Sequence, residues 1–265
     1  MDYMNYFVLS LLQGITEFLP VSSSAHLLVP GILFDWPDQG LAYDIAVHLG
    51  TLLAAAWYFR KDLAHGFIDS IEALRRSGSS ESSGLIFHVV IATLPITLVG
   101  FFFMGLVEQH LRHAWIVAIC SLTFGLLLGF VWLNRLKSTR ETITLYDSLF
   151  IGCAQCFAII PGVSRSGITI TAGLYLGLRP ASAARFSFIL AIPTIFGATI
   201  LGSNMLIENE IVLVWHELLF SVCISAISAY LTIGLFLSLI DRIGLMPFII
   251  YRILLSLALG AFLLG

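Results

Sequence analysis

Apolar residues run along this chain in long blocks instead of alternating with polar ones. Six blocks, at approximately 41–59, 85–106, 114–134, 183–206, 217–240 and 247–264, are predominantly apolar. Each is close to the ~20 helical residues that a bilayer core of ~30 Å requires. Two further apolar regions are interrupted. Residues 6–33 carry Gln13, Glu17, Pro20, Ser22, Ser23, Ser24, His26 and Pro30, and residues 147–178 carry Gln155 and the run Pro161-Gly-Val-Ser-Arg-Ser-Gly167. Both read as two half-length helices around a polar turn. Irregular backbone at membrane depth is tolerated only inside protein or against a wet cavity, so both are expected to be re-entrant hairpins. The expected fold class is an all-α polytopic membrane protein with six transmembrane helices and two re-entrant helical hairpins.

Composition strengthens this reading. Apolar residues make up 58 % of the 265, and 22 glycines come on top of that. Thirteen basic and sixteen acidic residues give 29 charges, or 11 %, against ~25 % in a soluble domain. Too few charges remain to cover a water-facing surface. A net charge of −3 leaves no basic excess for nucleic acid. A soluble enzyme, a nucleic-acid binder and a disordered chain are therefore excluded. Met1–Tyr6 has no basic stretch and no small-residue cleavage site follows the first apolar run, so no signal-peptide pattern is expected. Cys120, Cys153, Cys156 and Cys223 lie inside apolar stretches. The Cys153-x-x-Cys156 spacing lacks a second pair or a nearby His to complete a zinc set, so packing is its expected role.

Basic residues orient the spans. Arg60, Lys61, Arg75 and Arg76 fall in 60–84, Arg135, Lys137 and Arg140 in 135–146, and Arg179 and Arg242 in two other connections. By contrast, 34–40 holds Asp35 and Asp38, 107–113 a single Arg112, and 207–216 Glu208 and Glu210 without a Lys or Arg. Six spans put the basic connections in the cytoplasm and the acidic ones outside, provided 147–178 enters and leaves on the cytoplasmic side. Both termini then lie outside. The Ser/Gly-rich stretch 76–84 reads as a flexible connector.

The interrupted regions resemble each other. Gln13-x7-Val21-Ser22-Ser23-Ser24 recurs 142 residues later as Gln155-x7-Val163-Ser164-Arg165-Ser166, and the next full spans begin near 41 and 183, the same offset. Halves of approximately 1–134 and 147–265, joined by a connector at 135–146, would each hold one hairpin and three spans. An odd number of crossings inverts the second half, which gives a single membrane domain built as an inverted-topology repeat.

Inverted hairpins let their polar turns meet. Each turn is rich in Ser and Gly and precedes a helical stretch, 25–33 or 168–178. A helix start offers unpaired N–H groups and the positive end of its dipole, so two facing starts suit an anion, most naturally phosphate. Arg165 adds a forked, fixed charge, which is costly among apolar neighbours unless paired or hydrated. Glu17 follows Gln13 by four residues, so a helical turn would put both oxygen-bearing side chains on one side. His26 falls in the first turn after the serines, where its ring can share a face with a hydroxyl. Glu17 can bind a hard cation such as Mg²⁺ or Ca²⁺, or hold His26 in one tautomer.

These motifs resemble those of the undecaprenyl-diphosphate phosphatases of the bacitracin-resistance family, and the likeness covers the whole chain. Gln13-Gly-Ile-Thr-Glu17-Phe-Leu-Pro-Val-Ser-Ser23-Ser-Ala-His26 is similar to that family's acidic motif, and Pro161-Gly-Val-Ser164-Arg165-Ser166-Gly167-Ile-Thr169 to its arginine motif. The resemblance implies a hydrolase that removes the terminal phosphate of a C55 polyprenyl diphosphate and so recycles the lipid carrier of cell-wall synthesis. It further implies a divalent cation and a site open to the outer face of the bacterial cytoplasmic membrane. By motif position Glu17, Ser23, His26 and Arg165 would be catalytic. Ser22, Ser164, Ser166, Gly167 and Thr169 would bind substrate, and Glu17 with Gln13 would hold the cation. The family often has Glu where Gln13 stands, which removes one anionic ligand here.

The nucleophile stays open between Ser23, His26 and water. A transporter of an anionic polyprenyl phosphate is the rival reading, since broken helices in inverted repeats also build transporters. Asp44 and His48, four apart, could face the cavity, and Arg252 could pair with an acidic group such as Asp44. Gly125-x3-Gly129 and Gly173-x3-Gly177 would let helices approach closely, more commonly inside one chain than between the two copies of a homodimer.

Overall fold

In the computed structural model, residues 3–75, 84–111, 113–135, 140–208 and 214–264 are described. Arg76 with most of the 76–84 connector, Arg112, Lys137 and Glu210 lie outside the described residues. Helices α1 (Tyr3–Thr16) and α2 (Ser23–Phe34) flank the first polar turn. The second turn lies between α7 (Leu145–Gln155), extended by a 3-10 turn over Cys156–Ile159, and α8 (Arg165–Tyr175). The long helices are α3 (Gly40–Tyr58), α5 (Leu85–His110), α6 (Ala114–Asn134), α9 (Pro180–Glu208), α10 (Trp215–Ile243) and α11 (Met246–Leu264). By length and hydropathy these six can cross a membrane, one for each expected block. No strand occurs among the described residues, where a single bridge joins Arg140 and Leu178.

One element differs from expectation. The sequence reads 60–84 as a charged connector, yet α4 (Arg60–Arg75) is helical. Its apolar residues Leu63, Phe67, Ile68 and Ile71 recur at helical spacing between charges, and Asp62 sits in its first turn, where the dipole favours an acid. Leu63 packs on the core while Phe67 and Ile68 stay exposed, an amphipathic pattern suited to a membrane interface.

Small residues set the helix contacts. A Cβ on Gly14 would strike Ser225 and Ser228 of α10, and one on Gly50 would strike Val222 and Ser225. Helices α1 and α3 therefore seat directly on the α10 backbone. A Cβ on Gly152 of α7 would lie 2.6 Å from the Ala92 carbonyl of α5. Gly125 and Gly129 face Arg252 and Ile249 of α11, so the first expected pair serves packing within the chain; of the second, Gly173 faces Ala183, while Gly177 lies beyond the end of α8 at φ 83. Without a hydrophobic force between helices in lipid, such close approach supplies much of the cohesion. The aromatic centre runs from Phe18 edge-on to Phe188 at 5.2 Å and on to Phe236 at 5.5 Å. This anchors the turn after α1 in the core.

A polar network ties the connections. Arg140 grips Asp147 through two bonds of 2.5 and 3.1 Å and donates to the Leu176 carbonyl at 2.6 Å. Bonding to Asp147 holds its guanidinium above the usual value. Arg179 bridges Glu141 (2.7 Å) and Asp241 (2.5 Å), and Arg185 pairs with Asp62. Thr144 and Asp147 cap α7 reciprocally.

Candidate active site

Three described residues other than glycine sit at positive φ, Ser22, Asp35 and Ser164, and two of them share a setting. Ser22 (φ 72, ψ 96) and Ser164 (φ 69, ψ 108) both adopt positive φ immediately before α2 and α8, and they are 142 residues apart. Such a conformation is uncommon for a residue with a Cβ. It turns the chain sharply, so that the next residue, Ser23 or Arg165, stands at the first position of its helix.

The two turns are bonded to each other. Ser166 Oγ donates to the Leu19 carbonyl at 2.9 Å, and the Gly162 amide donates to Ser24 Oγ at 3.2 Å. Between them lies the ion pair that organises the site. Arg165 Nη2 donates to Glu17 Oε1 at 2.9 Å, with both side chains about nine-tenths buried. Glu17 Oε2 accepts from Ser23 Oγ at 2.7 Å and Gln13 Nε2 at 2.9 Å. Arg165 Nη1 reaches the Ser187 carbonyl at 3.2 Å, and its guanidinium lies 5.6 Å from the Phe18 ring. A buried pair of this kind is tolerable only when its remaining donors and acceptors are satisfied, and here they nearly are.

Glu17, Ser22, Ser23, Ser164 and Arg165 line a polar pocket of about 160 Å³. It adjoins a larger vestibule of about 350 Å³ between α2 and α3, with Ser23, Ser24 and His48 shared by both. Asp44 also lines the vestibule. His48 Nδ1 lies 2.7 Å from the Asp44 carbonyl, which leaves Nε2 3.8 Å from Glu17 Oε2. Asp44 and His48 thus do face the cavity, and His48 is the imidazole at the carboxylate. Their spacing of four in the sequence was the only signal for it.

His26 is placed differently. Its Nδ1 bonds the Ser22 carbonyl at 2.7 Å and its Nε2 the Tyr251 hydroxyl at 2.6 Å, the two rings stacking at 5.5 Å. Neither nitrogen faces Glu17 or Ser23. The remaining motif residues support the walls. Ser164 Oγ caps the Gly167 amide at 3.1 Å, and Thr169 Oγ1 meets Ser187 Oγ at 2.7 Å. Among the described residues Arg252 pairs with no carboxylate: its Nη2 donates to the Gly162 and Val163 carbonyls, each at 3.0 Å. Asp44 instead accepts from Gln39 at 3.2 Å.

Among the described residues no three His, Cys, Asp or Glu side chains gather as a metal site. Glu17 and Gln13 adjoin, however, and the Gln13 Oε1 atom is buried without a partner among the described residues. A carboxylate and a spare carbonyl oxygen suit a hard cation that draws its other ligands from phosphate and water.

Fold and pocket together define a multi-pass membrane protein with a buried Arg–Glu–Ser cluster fit for a phosphorylated ligand. More narrowly, the chain belongs to the bacitracin resistance protein BacA family, whose profile matches residues 6–258. It is 46 % identical over 263 residues to the undecaprenyl-diphosphatase of Alcanivorax borkumensis, covering 98 % of each chain. Over 266 residues it is 45 % identical to undecaprenyl-diphosphatase 2 of Stutzerimonas stutzeri, covering 98 % of this chain and 97 % of that one. The undecaprenyl-diphosphatase of Chromohalobacter salexigens is also 45 % identical, over 262 residues and 98 % of each chain.

Proposed function

We propose that this protein hydrolyses undecaprenyl diphosphate to undecaprenyl phosphate and inorganic phosphate, recycling the lipid carrier and so supporting resistance to bacitracin. The observation that carries the reading is the buried Arg165–Glu17 pair, which joins the two family motifs at a serine-lined pocket. The names of full-length relatives favour hydrolysis over the transport of a polyprenyl phosphate.

The residues divide the work as follows. Arg165 and the starts of α2 and α8 hold the terminal phosphate and stabilise charge on its oxygens. An arriving phosphate competes with Glu17 for Arg165, which frees the carboxylate as a base. Ser23, whose hydroxyl already points at Glu17 Oε2, is the attacking group at the pocket: its Oγ bonds to the terminal phosphorus as its proton passes to Glu17. The lipid phosphate leaves with the bridging electron pair and needs little acid assistance. Water then releases the phosphate from Ser23. Ser22 and Ser164 line the pocket, while Ser166, Gly167 and Thr169 fix its second wall. A divalent cation held by Glu17, Gln13 and the diphosphate would neutralise part of the charge.

The charge pattern supports a finer placement. In this reading the protein sits in a bacterial inner membrane with both termini and the vestibule on the outer face, a placement supported by a vestibule lining that holds Asp38 and Asp44 and, among the described residues, no Lys or Arg. The inverted repeat is supported by the paired Ser22 and Ser164 geometry and by matching contacts: α1 packs on α10 as α7 packs on α5. Nothing in the reaction requires a homodimer, since both motifs meet within one chain.

Purified protein in detergent should release phosphate from a long-chain prenyl diphosphate and lose that activity on chelation of divalent cations. Glu17→Ala, Ser23→Ala and Arg165→Ala should each lower kcat at least about 100-fold. Wild-type rates in any two of them, in folded protein, would overturn the assignment.

A further inference from the structure

Two neighbours on α11 reach both serine turns. Tyr251 bonds and stacks on His26, and His26 Nδ1 bonds the Ser22 carbonyl. Since a carbonyl only accepts, Nδ1 carries the hydrogen there and Nε2 is left to accept from the Tyr251 hydroxyl. Arg252, wholly buried, donates to the carbonyls of Gly162 and Val163, which directly precede Ser164. One helix thus ties the first turn through Tyr251 and His26, and the second through Arg252.

Both turns need such ties. Ser22 and Ser164 occupy backbone conformations that persist only where the surroundings over-determine them. Ser23 and Arg165 are the next residues, so slack in either turn moves the attacking hydroxyl or the phosphate clamp. Arg252 is also an expensive residue to keep. Its Nε and Nη1 atoms have no partner among the described residues, and an unpaired buried cation in a membrane protein marks function by default. The fold makes space for it: a Cβ on Gly167 would come 2.8 Å from Nη1, and one on Gly125 would come 3.2 Å from the Arg252 Cβ.

We infer that Tyr251 and Arg252 are positioning residues for the hydrolysis, and that His26 acts with Tyr251 as a brace on the Ser22 turn without transferring a proton. The inference rests on the phosphatase reading above. It assigns the α11 pair the task of holding Ser23 and Arg165 in register across the pocket. A brace alters the rate of the chemical step much more than the capture of substrate, because misplacement by a fraction of an ångström is felt mainly in the transition state.

Phosphate release from a long-chain prenyl diphosphate gives kcat and KM for Tyr251→Phe, Arg252→Met, Arg252→Lys, His26→Ala and His26→Gln. Each is normalised to the protein that elutes folded on size exclusion. Tyr251→Phe should lower kcat about 3- to 10-fold with KM nearly unchanged, the range for loss of one neutral hydrogen bond. Arg252→Met should lower it about 10- to 100-fold, and Arg252→Lys, which keeps a donor for the carbonyls, should recover part of that. His26→Gln, whose amide can both donate and accept, should recover much of the loss seen in His26→Ala and keep the wild-type shape of the pH–rate profile. If Arg252→Met does not fold, Arg252→Lys against wild type takes its place, with a smaller loss expected. Wild-type kcat in folded Tyr251→Phe or in the Arg252 variant overturns the inference. So does a His26→Gln protein as inactive as His26→Ala, because His26 would then be moving protons. A wild-type protein that releases no phosphate would instead sink the phosphatase reading itself.

Discussion

At the scale of single residues, Ser22 and Ser164 carry more of the site than their side chains suggest. A serine tolerates positive φ at a cost; a β-branched residue tolerates it far less. Ser22→Val should therefore lower thermal stability by about 1–3 kcal/mol. Ser22→Gly should hold or raise it, because the Ser22 hydroxyl caps no helix and only meets Ser24 at 3.1 Å. The comparison is read by thermal melting in detergent, and a Val variant as stable as the Gly variant would remove the strain from the account. His48 makes a second case. It stands where vestibule meets pocket, 3.8 Å from Glu17, so His48→Leu should raise KM about 3- to 10-fold, the effect of one lost polar contact. An unchanged KM would place the headgroup elsewhere.

At the scale of elements, the six long helices and the two broken regions were legible because their signals are local. Continuous apolar runs, and prolines, serines and charges inside them, need no knowledge of the rest of the chain. The meeting of Glu17 with Arg165 was legible too, because two similar polar turns were expected to face each other, and the ion pair joins them. The direction of His26 was not. Spacing alone put its ring beside the serines, but Tyr251, 225 residues away, draws it to α11. Arg252 was noticed, but its expected acidic partner was wrong for the same reason, since its partners are backbone carbonyls that no side-chain pattern announces. Helix α4 was obscured because its charges outweigh a narrow apolar stripe. The small-residue contacts yield an element-scale prediction. Gly14→Leu or Gly50→Leu would wedge α1 or α3 off α10, lowering stability by about 1–3 kcal/mol and reducing activity with it. Gly197→Leu, whose Cβ meets nothing nearby, should do neither.

At the scale of the whole molecule, the orientation proposed from the charge pattern can be tested directly. Single cysteines at Asp38 and Lys61 should separate cleanly in intact cells: an impermeant thiol reagent should label the first and spare the second. The reverse result would invert the topology. The pocket also shows how the halves depend on each other. Glu17 and Ser23 come from residues before the 135–146 connector, Arg165 and Ser164 from residues after it, and the bonds from Ser166 to Leu19 and from Gly162 to Ser24 stitch them together. A ribosome making this chain therefore threads an acidic half into the bilayer long before the guanidinium it requires has been synthesised. Until α8 has been made, the Glu17 carboxylate lacks its Arg165 partner, so neither half alone can assemble the pocket.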